Sequence, residues 1–213
     1  MRFARFTIPL GIILAVAGLA MYLNAKPNPR DIPGIDMSQP EHPVTAKMTA
    51  DADKSTLKPA LEFVGKGVRG EAVQISGVQD RPQFVLFILD GCPCSIDAQP
   101  LFNGLSKHWK GKVDFYGVID SEQKKARTWT SDYRAAFPVV SDPSKKLIKT
   151  YGAKQSVYCA LVSKEGKIVK LWPGYSSGLL KEMNELIAKE LEEKPTHFNT
   201  QYAPVDKTSG CFF

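Results

Sequence analysis

The stretch Gln83–Trp109, QFVLFILDGCPCSIDAQPLFNGLSKHW, decides how the rest of the chain is read. Its first seven residues, Gln83–Leu89, are almost wholly apolar, which suits a strand buried on both faces. Asp90-Gly91 supplies a turn. Cys92-Pro93-Cys94-Ser95 then opens a helix running to about Trp109. Ile96, Leu101, Leu105 and Trp109 share one of its faces, and Pro100 inside it predicts a kink because its N–H is missing. A thiol at a strand-to-helix junction meets unpaired backbone N–H groups and the positive end of the helix dipole, and both favour the thiolate. Cys92 is therefore the candidate nucleophile and Cys94 the candidate resolving thiol, with the reverse assignment also open. Pro93 suits the first helical turn, where its absent N–H would have had no partner. A disulfide across one residue closes a small, strained ring that is readily reduced, which favours oxidation of, or exchange with, partner thiols.

Downstream, Val113–Ile119 (VDFYGVI) reads as a second buried strand and Asp120-Ser121 as the cap of a helix over Glu122–Ala135. Phe137–Val140 is a short extended piece, and Lys145–Tyr151 a short helix closed by Gly152. Tyr158–Val162 and Lys167–Trp172 flank Ser163-Lys164-Glu165-Gly166 and predict a hairpin. Ser176–Glu193 puts Leu179, Leu180, Met183, Leu186, Ile187 and Leu191 on one helical face. Upstream, Leu57, Leu61 and Val64 suggest a short helix broken by Gly65, Gly67 and Gly70, and Val73 and Ile75 a short strand. This order predicts an α/β fold, a central mixed sheet flanked by helices, with the cysteines beyond the C-terminal end of a strand.

Arg2 and Arg5 precede Ile8–Leu23, sixteen residues without a charge and about 24 Å long as a helix. The segment 1–23 thus reads as a membrane anchor, a signal-anchor transmembrane helix that leaves the remainder outside the cytoplasm in a bacterial periplasm or its equivalent. Gly18-Leu19-Ala20 offers a cleavage site for a secreted alternative. Residues 24–55, with five prolines at 27, 29, 33, 40 and 43, read as an extended linker. The folded domain is expected over 56–193, with an irregular tail at 194–213. His42 falls in the linker and is given no role.

The chain of 213 residues is 43% hydrophobic, enough for a proper core, and carries a net charge of +6. Its lysines are scattered through mixed-sign segments without interleaved aromatics, which argues against nucleic-acid binding. The four cysteines, at 92, 94, 159 and 211, include no pair at the spacing of a zinc knuckle, and the three histidines form no motif. No cofactor is expected. His108 neighbours Trp109 but sits at the far end of the helix from Cys92, about 20 Å away, out of reach as a base.

Taken in order, FVLFILDGCPCS, the helical Pro100, FPVVSDP at 137–143, YGA at 151–153 and VSKEGKIV at 162–169 resemble the thioredoxin-like superfamily. The similarity covers roughly Gly67–Glu193. It is closest to the redoxin branch that holds peroxiredoxins and membrane-tethered thiol–disulfide oxidoreductases. The resemblance implies a thioredoxin-like sheet and a thiol–disulfide oxidoreductase acting on protein thiols through Cys92 and Cys94. Two departures stand out. One residue, not two, separates the cysteines, and Gly91 precedes them. The superfamily's cis-proline falls at Val157, where a cis bond would cost about 2.5–4 kcal/mol. Peroxiredoxins carry a threonine three residues before their reactive cysteine, and Leu89 stands there; neither Arg127 nor Arg134 matches their arginine motif.

The resemblance places Cys159 on the strand behind the cis-proline position. Cys159 and Cys211 could form a structural disulfide that clips the tail down. Cys211 could instead act as a long-range resolving thiol, or Cys159 could simply be a small buried hydrophobe. Three other functions remain open besides the oxidoreductase: a non-catalytic redoxin scaffold or accessory subunit of a larger membrane complex, a peroxiredoxin-like peroxidase, and a Cu(I)-handling protein held by the two thiolates.

Overall fold

Six consecutive apolar or amide side chains make β4 (Gln83–Ile88) a strand with no exposed face, and all six are buried. The computed structural model describes residues 42–213, and in it β4 is the middle of a five-stranded sheet. On one side lie β5 (Asp114–Ile119) and β6 (Val139–Ser141), both parallel to their neighbour. On the other lie β7 (Cys159–Val162) and β8 (Ile168–Trp172), an antiparallel hairpin. The sheet order is β6-β5-β4-β7-β8.

The period-two alternation of a strand divides the core in two. Phe84, Leu86 and Ile88 pack with Phe102 and Leu105 of α2 (Pro93–His108) and with Leu180, Met183 and Ile187 of α5 (Ser177–Glu190). Val85 and Phe87 face the opposite way, toward Leu147 and Ile148 of α4 (Lys146–Thr150), Ala52 of α1 (Ala46–Asp53), and Ile75. Ile75 belongs to β3 (Ala72–Ile75), which pairs antiparallel with β2 (Phe63–Lys66). The helix α3 (Gln123–Asp132) connects β5 to β6. This is the mixed α/β, thioredoxin-like arrangement expected, with helices on both faces.

Three expectations need correction. Residues 57–64 hold no helix: Leu57 is left-handed (φ 65°) and 73% exposed, and Phe63 and Gly65 pair with Ile75 and Val73 in the hairpin. Pro59, the β-branched Val64 and Gly65 all disfavour a helix there. The linker reading of 24–55 fails at its C-terminal end, where Thr45 caps α1 by accepting from Met48 N–H at 3.2 Å and Ala52 is buried. The tail at 194–213 is not irregular throughout, since a short strand near its end pins it to the domain. β9 (Thr208–Ser209) pairs antiparallel with β1 (His42–Pro43), and Thr208 exchanges two backbone bonds with Tyr175, at 2.8 and 2.9 Å. Any side chain at Gly174 would run into the Thr208 carbonyl. The apolar segment 8–23 lies outside the described residues. Among the described residues no helix is long and apolar enough to cross a membrane.

A buried amide joins the two helices on one face. Asn184 of α5 accepts from Trp109 Nε1 at 2.9 Å and donates to the Thr196 carbonyl at 2.8 Å, so it also fixes the start of the tail. Replacing Asn184 by Ala leaves a buried indole N–H without its acceptor. The expected cost is about 1–3 kcal/mol, read as a lower urea midpoint with an unchanged slope.

Candidate active site

Local chemistry places Cys92 at the head of α2. Gly91 takes a left-handed turn (φ 79°), and the Asp90 N–H donates to Asp120 Oδ1 at 2.9 Å. The Leu89 N–H donates to Ser95 Oγ at 3.2 Å, which ties the end of β4 to the first helical turn. Cys92 is the N-cap, in extended conformation, and Pro93 begins the helix. The thiol is nevertheless only 2% exposed, because two other segments close over it.

The first is the loop before β7. Val157 N–H donates to the Phe87 carbonyl at 2.9 Å, and Phe87 N–H donates to the Tyr158 carbonyl at 2.9 Å. These bonds hold Val157 in a trans, left-handed conformation (φ 61°), an outlier for a β-branched side chain. Such strain costs on the order of 1–3 kcal/mol and persists only where the surroundings enforce it. It sets the fully buried Ser156 so that its hydroxyl donates to Cys92 Sγ at 3.1 Å.

The second segment is the tail. The sulfurs of Cys92 and Cys211 share a hydrogen bond at 3.1 Å, and the Cys211 N–H donates to Cys92 Sγ at 3.3 Å. Ser156 N–H in turn donates to the Cys211 carbonyl at 2.8 Å. His42, left without a role by the sequence, brings its Nε2 to 3.8 Å from Cys211 Sγ, because β1 pairs with β9.

The donors decide the protonation state. A hydrogen bond from Cys94, opposed by burial and reinforced by Ser156 and by both the N–H and the thiol of Cys211, pulls Cys92 down to about 4. Cys92 is therefore a thiolate at neutral pH. The same bond pushes Cys94 up, since its proton is held by that anion, and burial adds to the effect. Burial, with the hydrogen bond to Cys92, pushes Cys211 up to about 11. Cys159 has no exposure, its thiol raised by burial within the core behind Leu86 and Trp172.

The structure thus brings Cys92, Cys94 and Cys211 together and leaves Cys159 a thiol inside the sheet; none of the four is in a disulfide. His108 is engaged elsewhere, its Nε2 2.8 Å from Thr196 Oγ1. Arg127 donates its Nε to the Val68 carbonyl at 2.9 Å. Among the described residues no three His, Cys, Asp or Glu side chains are arranged to hold a metal ion. Sequence reasoning missed Ser156 and also Gly210, where any Cβ would run into Ser156 Oγ and crowd Cys92 Sγ. The first could have been found from its place beside Val157; the second carried no signal before the tail's path was known. An open cleft of about 400 Å³, lined by Asp90, Gly91, Lys124, Lys125, Trp129 and Tyr133, flanks the turn before Cys92.

A parallel–antiparallel sheet of this order, with a thiolate at the N-cap of the helix after its central strand, defines a thioredoxin-like redoxin domain. The chain belongs to the AhpC/TSA family, whose pattern matches residues 56–171. Among curated relatives, the thiol-disulfide oxidoreductase ResA of Bacillus thuringiensis is 27% identical over 125 residues, 57% of this chain and 72% of that protein. Among solved structures, an uncharacterized conserved protein from Geobacillus kaustophilus shares the fold. It has a TM-score of 0.58 and 16% identity, covering 74% of this chain and 90% of that one. The pneumococcal exposed lipoprotein thioredoxin Etrx1 of Streptococcus pneumoniae gives 0.50 and 26%, covering 57% and 99%.

With Cys92 at about 4, the thiolate absorption of the reduced protein should hold from neutral pH down to about pH 5 and fall away around pH 4. A Cys92→Ser variant should lack that transition. Ser156→Ala removes one donor to the anion and should raise the midpoint by about one to two pH units.

Proposed function

We propose that this chain is a thiol–disulfide oxidoreductase, tethered to a membrane through residues 8–23 with its folded domain outside the cytoplasm, that exchanges disulfides with protein partners through Cys92. The reading is carried by one observation: Cys92 Sγ at the head of α2 has the Cys211 sulfur at 3.1 Å and the Ser156 hydroxyl at 3.1 Å, with Cys94 one residue beyond Pro93, and these bonds draw it toward the thiolate. It is supported by the relatives, one a thiol-disulfide oxidoreductase and one an exposed lipoprotein thioredoxin.

The Cys92 thiolate attacks one sulfur of a partner disulfide. A Cys92–partner disulfide forms, the partner's own S–S bond breaks, and the second partner sulfur leaves as a thiolate that takes a proton from water. Bond formation neutralises Cys92, which removes the charge that held the Cys94 proton. Cys94 can then ionise, attack Cys92 Sγ and release the first partner sulfur as a thiolate. The partner has gained two electrons and the Cys92–Cys94 pair has become a disulfide; run backwards, the same steps oxidise a dithiol. The cleft beside Gly91 leaves room for the partner's flank.

The test is to trap thiols by alkylation across a series of glutathione potentials and assign each cysteine by peptide mass. Cys92 should titrate as one member of a two-electron couple while Cys159 stays a thiol throughout. Cys94→Ser should accumulate the mixed disulfide with a protein substrate. A Cys92 that never responds, or activity that persists in Cys92→Ser, would overturn the oxidoreductase and leave a redoxin-fold scaffold.

A further inference from the structure

The tail does more than supply a third sulfur. From Gly210 to Phe213 its backbone lies along the loop before β7: Gln155 and Phe212 form an antiparallel bridge, Ser156 N–H donates to the Cys211 carbonyl at 2.8 Å, and Phe213 N–H donates to the Lys154 carbonyl at 3.2 Å. Main-chain pairing of this kind is how an edge accepts an extended foreign peptide. The register sets a cysteine directly over the nucleophile, with its own N–H on Cys92 Sγ at 3.3 Å. Phe213 packs against the core cluster on the face of Val85 and Phe87, while Phe212 is 73% exposed. Resting on the oxidoreductase reading, we propose that Gly210–Phe213 is a tethered substrate mimic: it occupies the groove meant for a partner's cysteine, and a partner gains access only when these four residues lift away.

The anchoring of these residues fits a releasable segment. Thr208 and Ser209 are buried and held by β1 and Tyr175. Beyond them the chain is held by the few main-chain bonds just described, by the Cys211 sulfur on Cys92 Sγ and by one aromatic side chain, Phe213. Ser209 is therefore the last fixed point, and Gly210 the first residue that can swing.

The same geometry states what a partner must look like. A Cβ at Gly210 would run into Ser156 Oγ and lie 3.2 Å from Cys92 Sγ. Relieving it means turning the Ser156 hydroxyl off the thiolate, which undoes one of the bonds that keeps Cys92 ionised. A segment entering in the tail's place meets the same walls, so the groove selects an extended chain with glycine immediately before its cysteine.

The probe is the peptide Thr-Ser-Gly-Cys-Phe-Phe with its cysteine held as a mixed disulfide with thionitrobenzoate. Cys92 attacks the peptide sulfur, a Cys92–peptide disulfide forms, and the coloured thionitrobenzoate anion leaves. Cys211→Ser keeps the tail's backbone in place without a competing thiol, so it is compared with a chain ending at Ser209. The shortened chain should release dye at least about tenfold faster, and a probe with Ala before its cysteine should be several-fold slower on it. The double variant Gly210→Val/Cys211→Ser, which keeps the full length without the competing thiol, should also be faster than Cys211→Ser, so the outcome does not depend on how the shortened chain folds. Equal rates in all three variants, with Cys92 of the shortened chain reacting with dithiodipyridine, would overturn the tail's role and leave the oxidoreductase standing. Failure of Cys92 to react with dithiodipyridine in the shortened chain would overturn both.

Discussion

A buried anion has to be held by donors, and the rest of this structure depends on how Cys92 meets that requirement. Burial alone would favour the neutral thiol. Four groups oppose it: the Cys94 side chain, the Ser156 hydroxyl, and the N–H and thiol of Cys211. They arrive from three places far apart in sequence: the first turn of α2, the loop before β7, and the end of the tail. Each needs its own support. The sheet carries the loop, Val157 takes a conformation that valine resists, and β1 and β9 deliver the tail.

What the sequence could convey follows from the range of each interaction. Strands such as β4, the hairpin β7–β8 and helix α5 are written in local periodicity, and the structure keeps each within a few residues of expectation. The N-cap position of Cys92 is likewise a local fact of strand, turn and proline. The partners of Cys92 are not local. Ser156 is 64 residues away and Cys211 is 119 away, and no periodic signal records that so distant a segment returns to a particular helix N-terminus. His42 was passed over for the same reason, because only the pairing of two-residue strands from opposite ends of the described chain brings it near Cys211. The mistaken helix at 57–64 shows the reverse failure, in which three spaced apolar residues satisfied a helical pattern while glycine and β-branching favoured a hairpin.

The loop and tail also divide the labour of the site. A trans valine with positive φ keeps the Ser156 hydroxyl on the sulfur and turns its N–H onto the Cys211 carbonyl of the tail strand. Glycine at 210 keeps that strand close enough to share the same sulfur. Either position filled by an ordinary residue in an ordinary conformation would separate the two functions, ionising the thiol and presenting it to a chain.

Cys159 gives this protein an internal clock. Its thiol lies in the centre of the sheet, paired in register with Leu86 on one side and Trp172 on the other, with no exposure and its ionisation suppressed by burial. Small openings that free the tail or the head of α2 leave it sealed. Reagents reach it when the helices packed on that face of the sheet, α2 and α5, come away, which is loss of the fold itself. Its rate of modification under native conditions therefore measures how often the whole domain comes apart, independently of the redox traffic a few residues away.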